Sequence, residues 1–300
     1  MNRVMKIAIA LLASVGLVAS VSACGSSNGS SSGSSADGTI NVVASVNQWG
    51  TVAQALGGEN VSVVSIINST NVEAHDYEPT TADVAKLQKA RIIVVNGADY
   101  DSWAVKAAES TGATVVNAAE AGGVKDGENP HVWFSSQVRK ATAKAIVEAY
   151  KQASADEADS FEKLYEDWQS AENTLAEKIN DVKESANGLT YAATESVAQY
   201  LADDLGLTDA TPTGYVQATS NDGEPTPADI KNFTDALTSG EIKLLVVNTQ
   251  EETDLTNQIT DAAESADVPM VELTEQMPDD FSSLTEWMES LVEAFEKTIR

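Results

Sequence analysis

Short runs of apolar, mostly β-branched residues alternate with stretches in which apolar residues recur every three or four positions. Residues 40–46 have the continuous Ile/Val character of a strand buried on both faces. Residues 49–56 follow at helical spacing and stop at Gly57-Gly58. A second strand is predicted over 61–67. A helix over 80–90 comes next, opened by Thr80 with Asp83 three residues on, a capping-box pattern. Residues 91–95 form a third strand, 101–110 a helix and 113–116 a fourth strand. Strands alternating with helices build right-handed βαβ units and a parallel sheet.

Two amphipathic stretches then interrupt the alternation. One runs from Ser135 through Tyr150. The other carries Phe161, Leu164, Trp168, Leu175, Ile179 and Val182 at helical spacing, without an interior Gly or Pro. Alternation resumes with a strand over 189–193, a helix over 195–205, a short strand over 214–217 and a helix over 227–237. A strand over 242–247, a helix over 254–266, a strand over 268–273 and a helix over 281–299 complete it. The expected fold class is α/β, with two parallel-sheet lobes joined by a long rigid helix and a ligand cleft between the lobes. The lobes are expected over 38–152 and 187–300, with the linking helix over 153–186. No close sequence repeat relates them.

Ligands of such sheets bind beyond the carboxyl ends of the strands. The loops after Ile67, Val116, Ala193 and Leu273 contain His75, His131, Glu195 and Glu275. His75 and His131 are the only histidines in the chain. Two imidazoles and two carboxylates make a nitrogen/oxygen donor set for a first-row divalent metal. Each residue also has a plainer reading: a loop histidine can be a turn residue, and Glu195 can favour a helix N-terminus. Near Glu275, the carboxylates Glu272, Asp279 and Asp280 compete for the same role.

Charge and composition narrow the class. A formal charge of −28 excludes a general nucleic-acid binder, because phosphate contacts need a basic surface. It suits a soluble protein outside the cell. Arg3 and Lys6, the apolar stretch 7–23 and small residues before Cys24 make an export signal over 1–23. Cys24 is the only cysteine, so it forms no internal disulfide. Val21-Ser22-Ala23-Cys24 is similar to a bacterial lipobox, in which the cysteine is lipidated. Residues 25–37 are almost all Gly and Ser and read as a flexible tether.

The chain resembles the metal-specific substrate-binding lipoproteins of bacterial ABC importers for manganese, zinc or iron. Three segments carry the likeness: Glu73-Ala74-His75-Asp76-Tyr77-Glu78-Pro79, Asn129-Pro130-His131-Val132-Trp133, and Glu224-Pro225-Thr226-Pro227. The resemblance implies metal ligation by His75, His131, Glu195 and Glu275. Asp76 and Glu78 are read as surface residues or as carboxylates that hold the His75 tautomer. It implies Cys24 as a lipid anchor on the outer face of the cytoplasmic membrane. It also implies a monomer that passes Mn2+ or Zn2+, or Fe2+, to a permease served by a cytoplasmic ATPase subunit.

The region over 122–129 is short and lacks the histidines of the family's zinc-type loop. With two carboxylates in the set, this leans toward manganese, with zinc next. Tyr77 and Trp133 are expected to pack rather than to ligate. No enzyme is expected. The competing readings are a metallohydrolase, which would need an open position for water, and an adhesin with a structural metal.

Overall fold

A computed structural model describes residues 38–72, 74–75, 77–220 and 223–300. The export signal, Cys24 and the tether lie outside the described residues, as do Glu73 and Asp76.

Two four-stranded, all-parallel sheets organise the molecule. The first contains β1 (Ile40–Val46), β2 (Val61–Ile67), β3 (Ile92–Val95) and β4 (Thr114–Asn117) in the order β2-β1-β3-β4. The second contains β5 (Thr190–Ala193), β6 (Thr208–Asp209), β7 (Leu244–Asn248) and β8 (Met270–Leu273) in the order β6-β5-β7-β8. The topologies correspond strand for strand, and in each the chain reverses direction across the sheet beside its first strand. Register is set by pairs such as Val42↔Ile92 and Tyr191↔Leu244.

The uninterrupted apolar runs follow from burial on both faces. In β1, Val42, Ala44 and Val46 face the main core while Val43 faces a smaller cluster with Leu87, Ile93 and Val95. In β7, Val246 faces the main core, and Leu245 and Val247 face a cluster with Tyr215, Phe233 and Ile259. The main core is continuous from the first sheet to the second.

Helices α1 (Asn47–Gly57), α2 (Thr81–Lys89), α3 (Ser102–Glu109), α4 (Ala118–Gly122) and α5 (Ser136–Ala153) belong to the first half. The long helix α6 (Ala158–Ala186) has 29 residues and so spans about 43 Å. In the second half lie α7 (Gln199–Asp204), α8 (Thr213–Thr219), α9 (Pro227–Thr238), α10 (Asp254–Ser265) and α11 (Leu284–Ile299). The predicted capping box on α2 is present, with Thr80 and Asp83 satisfying each other's backbone N–H.

One predicted element is wrong in kind. Residues 214–217 are not a strand but the middle of α8. The fourth strand of that sheet is instead the two-residue β6, paired with β5. Tertiary packing decides the matter. Tyr215 is buried, its ring lies edge-on to Phe233 at 4.9 Å, and its hydroxyl donates to the Thr194 carbonyl at 2.8 Å. A Cβ on Gly214 would come within 2.1 Å of Asp229 Oδ1, so glycine lets α8 sit against the start of α9.

Candidate metal centre

His75 lies in the irregular segment between β2 and α2. The far end of that segment is pinned by Asp83, which accepts from the Tyr77 hydroxyl (2.8 Å), the Thr80 hydroxyl (2.6 Å) and Lys86 (2.9 Å). Burial opposes ionisation of Asp83, but the bonds from Thr80, Lys86 and Tyr77 prevail and hold its carboxyl well below the usual range. Burial, and then the Asp83 bond, push the Tyr77 hydroxyl up to about 12. Tyr77 also packs on Trp103 at 5.0 Å between ring centroids, a packing role as expected.

His131 precedes a single 3-10 turn, Val132–Phe134, and is 3% exposed. Asn129 Oδ1 accepts from the His131 backbone N–H at 3.0 Å and sits 2.8 Å from His131 Nδ1. A carbonyl oxygen only accepts, so this contact assigns the proton to Nδ1 and leaves the Nε2 lone pair facing the cluster. Trp133 packs edge-on against that imidazole at 5.5 Å.

Glu195 follows β5 in extended backbone, and its Oε2 accepts from Asn248 Nδ2 at 2.6 Å. Glu275 follows β8 and is fully buried. Of its rivals, Glu272, Asp279 and Asp280 are all exposed. Glu272 occupies the strand position whose side chain points away from the core.

The four residues converge. One candidate ligand atom from each of His75, His131, Glu195 and Glu275 lies within 4.8 Å of all the others. Glu275 Oε1 is 3.3 Å from His75 Nε2 and 3.5 Å from His131 Nε2, and Glu195 Oε1 is 3.7 Å from His131 Nε2. Among the described residues, His131 Nε2 and both Glu275 oxygens are buried without a hydrogen-bond partner. Buried acceptors facing one another without a donor are costly, and a cation among them relieves that cost. The donor set therefore fits a divalent ion.

The electrostatics have the same origin. Burial alone would raise the Glu275 carboxyl, but His131 and His75, which donate and carry charge when protonated, hold it well below the usual carboxylate range. Glu195 is pushed up, first by burial and also by Glu275, against the pull of His131.

Sequence reasoning does not reach the residues that hold these groups. Tyr100 is buried, with its ring 4.8 Å from His75 and 6.0 Å from His131. Its turn is fixed by buried Asp101, which accepts from the Asn96 and Gly97 N–H groups at 2.6 and 2.9 Å. Asn248 is missed in the same way, and Asn129 is noted only as part of the His131 segment, without a role. A signal exists: Val-Val-Asn stands at the ends of the equivalent strands β3 and β7, with Asn96 just after β3 and Asn248 the last residue of β7, and a polar residue at the end of a buried strand points at the loops beyond it.

Residues 42–298 match the family described as zinc-uptake complex component A, periplasmic (ZnuA). The chain belongs to this family. Among ZnuA-family relatives, the zinc-binding lipoprotein AdcA of Streptococcus pneumoniae R6 is 26% identical over 269 residues. That match covers 80% of this chain and 52% of AdcA, so the chain spans about half the length of that relative. The manganese-binding lipoprotein MntA of Bacillus subtilis 168 is 24% identical over 243 residues, covering 76% of this chain and 77% of MntA. The solved structure of the periplasmic zinc binding protein TroA from Treponema pallidum aligns with a TM-score of 0.72 at 16% identity. It covers 87% of this chain and 99% of TroA, a likeness of fold.

Proposed function

We propose that this ZnuA-family protein is an extracytoplasmic receptor for a divalent metal ion, manganese or zinc, with His75, His131, Glu195 and Glu275 as ligands. The observation that carries the reading is the convergence of one ligand atom from each of these four side chains within 4.8 Å, around buried acceptor atoms that have no donor among the described residues. The metal is cargo: it is bound outside the cell and released to an ABC importer permease driven by a separate ATPase subunit. Relatives named as zinc-binding and manganese-binding lipoproteins support this use of the site. In the same reading Cys24 carries the lipid anchor and the receptor is a monomer. The chain divides into lobes 38–152 and 187–300 around the helical segment 153–186. Catalysis forms no part of it.

Each ligand is a proton acceptor as well as a metal donor, so binding releases protons and weakens in acid. The decisive measurement is metal titration of the purified mature chain and of a His75→Ala, His131→Ala double variant, with manganese and zinc in competition. Tight binding by the wild type, lost in the double variant, is expected. Unchanged affinity in the double variant would refute the reading.

A further inference from the structure

Glu172 stands where an apolar residue belongs. The buried positions of α6 are Phe161, Trp168, Glu172, Leu175, Ile179, Val182 and Ala186, a core-facing stripe interrupted by one carboxylate. Glu172 is 1% exposed and pairs with Arg139 of α5, also 1% exposed, at 3.1 Å. A buried ion pair seldom adds net stability over an apolar pair of similar volume, so stability alone does not account for it.

What the pair holds is more telling. Arg139 Nη1 donates to the carbonyls of Trp133 and Phe134 at 3.1 and 3.2 Å, so its planar fork fixes the turn that follows His131. The other Glu172 oxygen accepts from the Thr285 hydroxyl at 2.9 Å, in the first turn of α11. The segment from Glu275 to α11 is tied to the first half as well. Asn47 Nδ2 donates to the Met277 carbonyl at 2.7 Å, and the Leu284 N–H donates to Thr51 Oγ1 at 3.1 Å. One carboxylate on the long helix thus reaches the His131 turn through Arg139, and the segment after Glu275 through Thr285.

These bonds act beside close packing at the seam: Leu284, Trp287 and Met288 are buried in the main core, and the Trp287 ring lies 5.5 Å from that of Phe134. Beside Thr285 the surface opens into a groove of about 260 Å³ between α1, α6 and the start of α11, lined by Val52, Leu164, Trp168 and Leu284. Apolar contact is not directional, and on the side that opens into the groove the Glu172–Thr285 bond adds a preferred angle.

We infer that Glu172 is a positioning residue for the metal site, holding the His131 turn and the Glu275 segment at a fixed separation through Arg139 and Thr285. The inference rests on the receptor reading above. It concerns how the ligands are placed, since Glu172 itself touches none of them.

Thr285→Val removes the hydroxyl and keeps the volume; Thr285→Ser keeps the hydroxyl. Zinc affinity by chelator competition, zinc release into excess chelator, and the visible spectrum of bound cobalt(II) are measured on the mature chain. Thr285→Val is expected to weaken zinc about tenfold, the lower end of outer-shell effects, with faster release and an altered cobalt spectrum, while Thr285→Ser stays close to wild type. Melting in a chelator reports the fold separately. If Thr285→Val does not fold, Thr285→Ala carries the same expectations. Wild-type affinity, release and spectrum in the hydroxyl-free variant would overturn the inference, as would equal losses in Thr285→Ser. Wild-type protein that binds neither zinc nor cobalt would overturn the receptor reading with it, so the two failures are distinguishable.

Discussion

His75 Nε2 lies 3.3 Å from Glu275 Oε1, yet the imidazole is 38% exposed and the carboxylate is fully buried. The pair joins the water-facing rim of the centre to its floor, and joins the loop after β2 to the loop after β8. Solvent reaches the cluster from the His75 side, and Glu275 meets an ion only inside the protein.

Glu275→Gln keeps the shape of the floor and removes its charge. Zinc affinity should fall by at least about 100-fold, the upper end of losses seen when only an outer-shell partner is removed. A ligand that binds the native state raises its melting temperature. The zinc-dependent rise seen in wild type should therefore be absent from Glu275→Gln, as differential scanning fluorimetry with and without chelator will show.

The two carboxylates affect the metal-free fold with opposite signs. The folded-state pKa of Glu275 is depressed, so its contribution is present above the unfolded value of about 4.3 and is lost as pH falls through the folded value. The Glu195 pKa is raised, so its ionised form costs stability above the folded value, and that cost shrinks as pH falls from the folded value to the unfolded one, about 4.3. Glu195→Gln should accordingly be more stable than wild type near neutrality, with the gain shrinking in acid. Urea midpoints across about pH 4 to 8, in chelator, check the slope. A constant difference over that range would contradict the assignment.

Asn129 has two duties that substitution can separate. Its Oδ1 orients His131, and its Nδ2 donates to the Ser196 carbonyl at 2.7 Å and to Gln199 Oε1 at 2.9 Å. Asn129→Leu removes both and should cost about 10- to 100-fold in metal affinity. Asn129→Asp keeps the acceptor for His131 and should fall between Leu and wild type. Isothermal titration of the two variants ranks them.

Gly97 sits at φ +78°, and a Cβ there would lie 2.1 Å from Asn117 Oδ1. Gly97→Ala should cost about 1–3 kcal/mol in urea unfolding. Because the Gly97 N–H is bonded to Asp101 in the turn that presents Tyr100, metal affinity should weaken as well. Gly123, at φ +82°, provides the control, since a Cβ there would meet nothing within 4 Å. Its Ala variant should show the backbone strain without the loss of metal.

Most of the architecture was legible because its signals are local. Val42 to Val46, Ile92 to Val95 and Leu244 to Val247 are short, mostly β-branched runs that read as strands buried on both faces, and the Thr80/Asp83 capping box announced α2. Gly214 to Gln217 misled because four residues do not distinguish a period of two from one of 3.6 when a single side chain, Tyr215, makes the packing contact. His75 and His131 stood out by rarity, and Glu195 by its place at a strand end.

The sequence by itself determined the βαβ order, the long helix and the types of donor available, since periodicity, caps and strand ends are written in neighbouring residues. Tertiary structure alone decided which carboxylate near the last strand is buried beside the histidines, that Asn129 and Asn248 orient His131 and Glu195, and that Arg139 and Thr285 meet on Glu172. These are contacts between residues far apart in the chain. Their worth depends on distance and on exclusion from water, and neither is set until the two sheets close around one core.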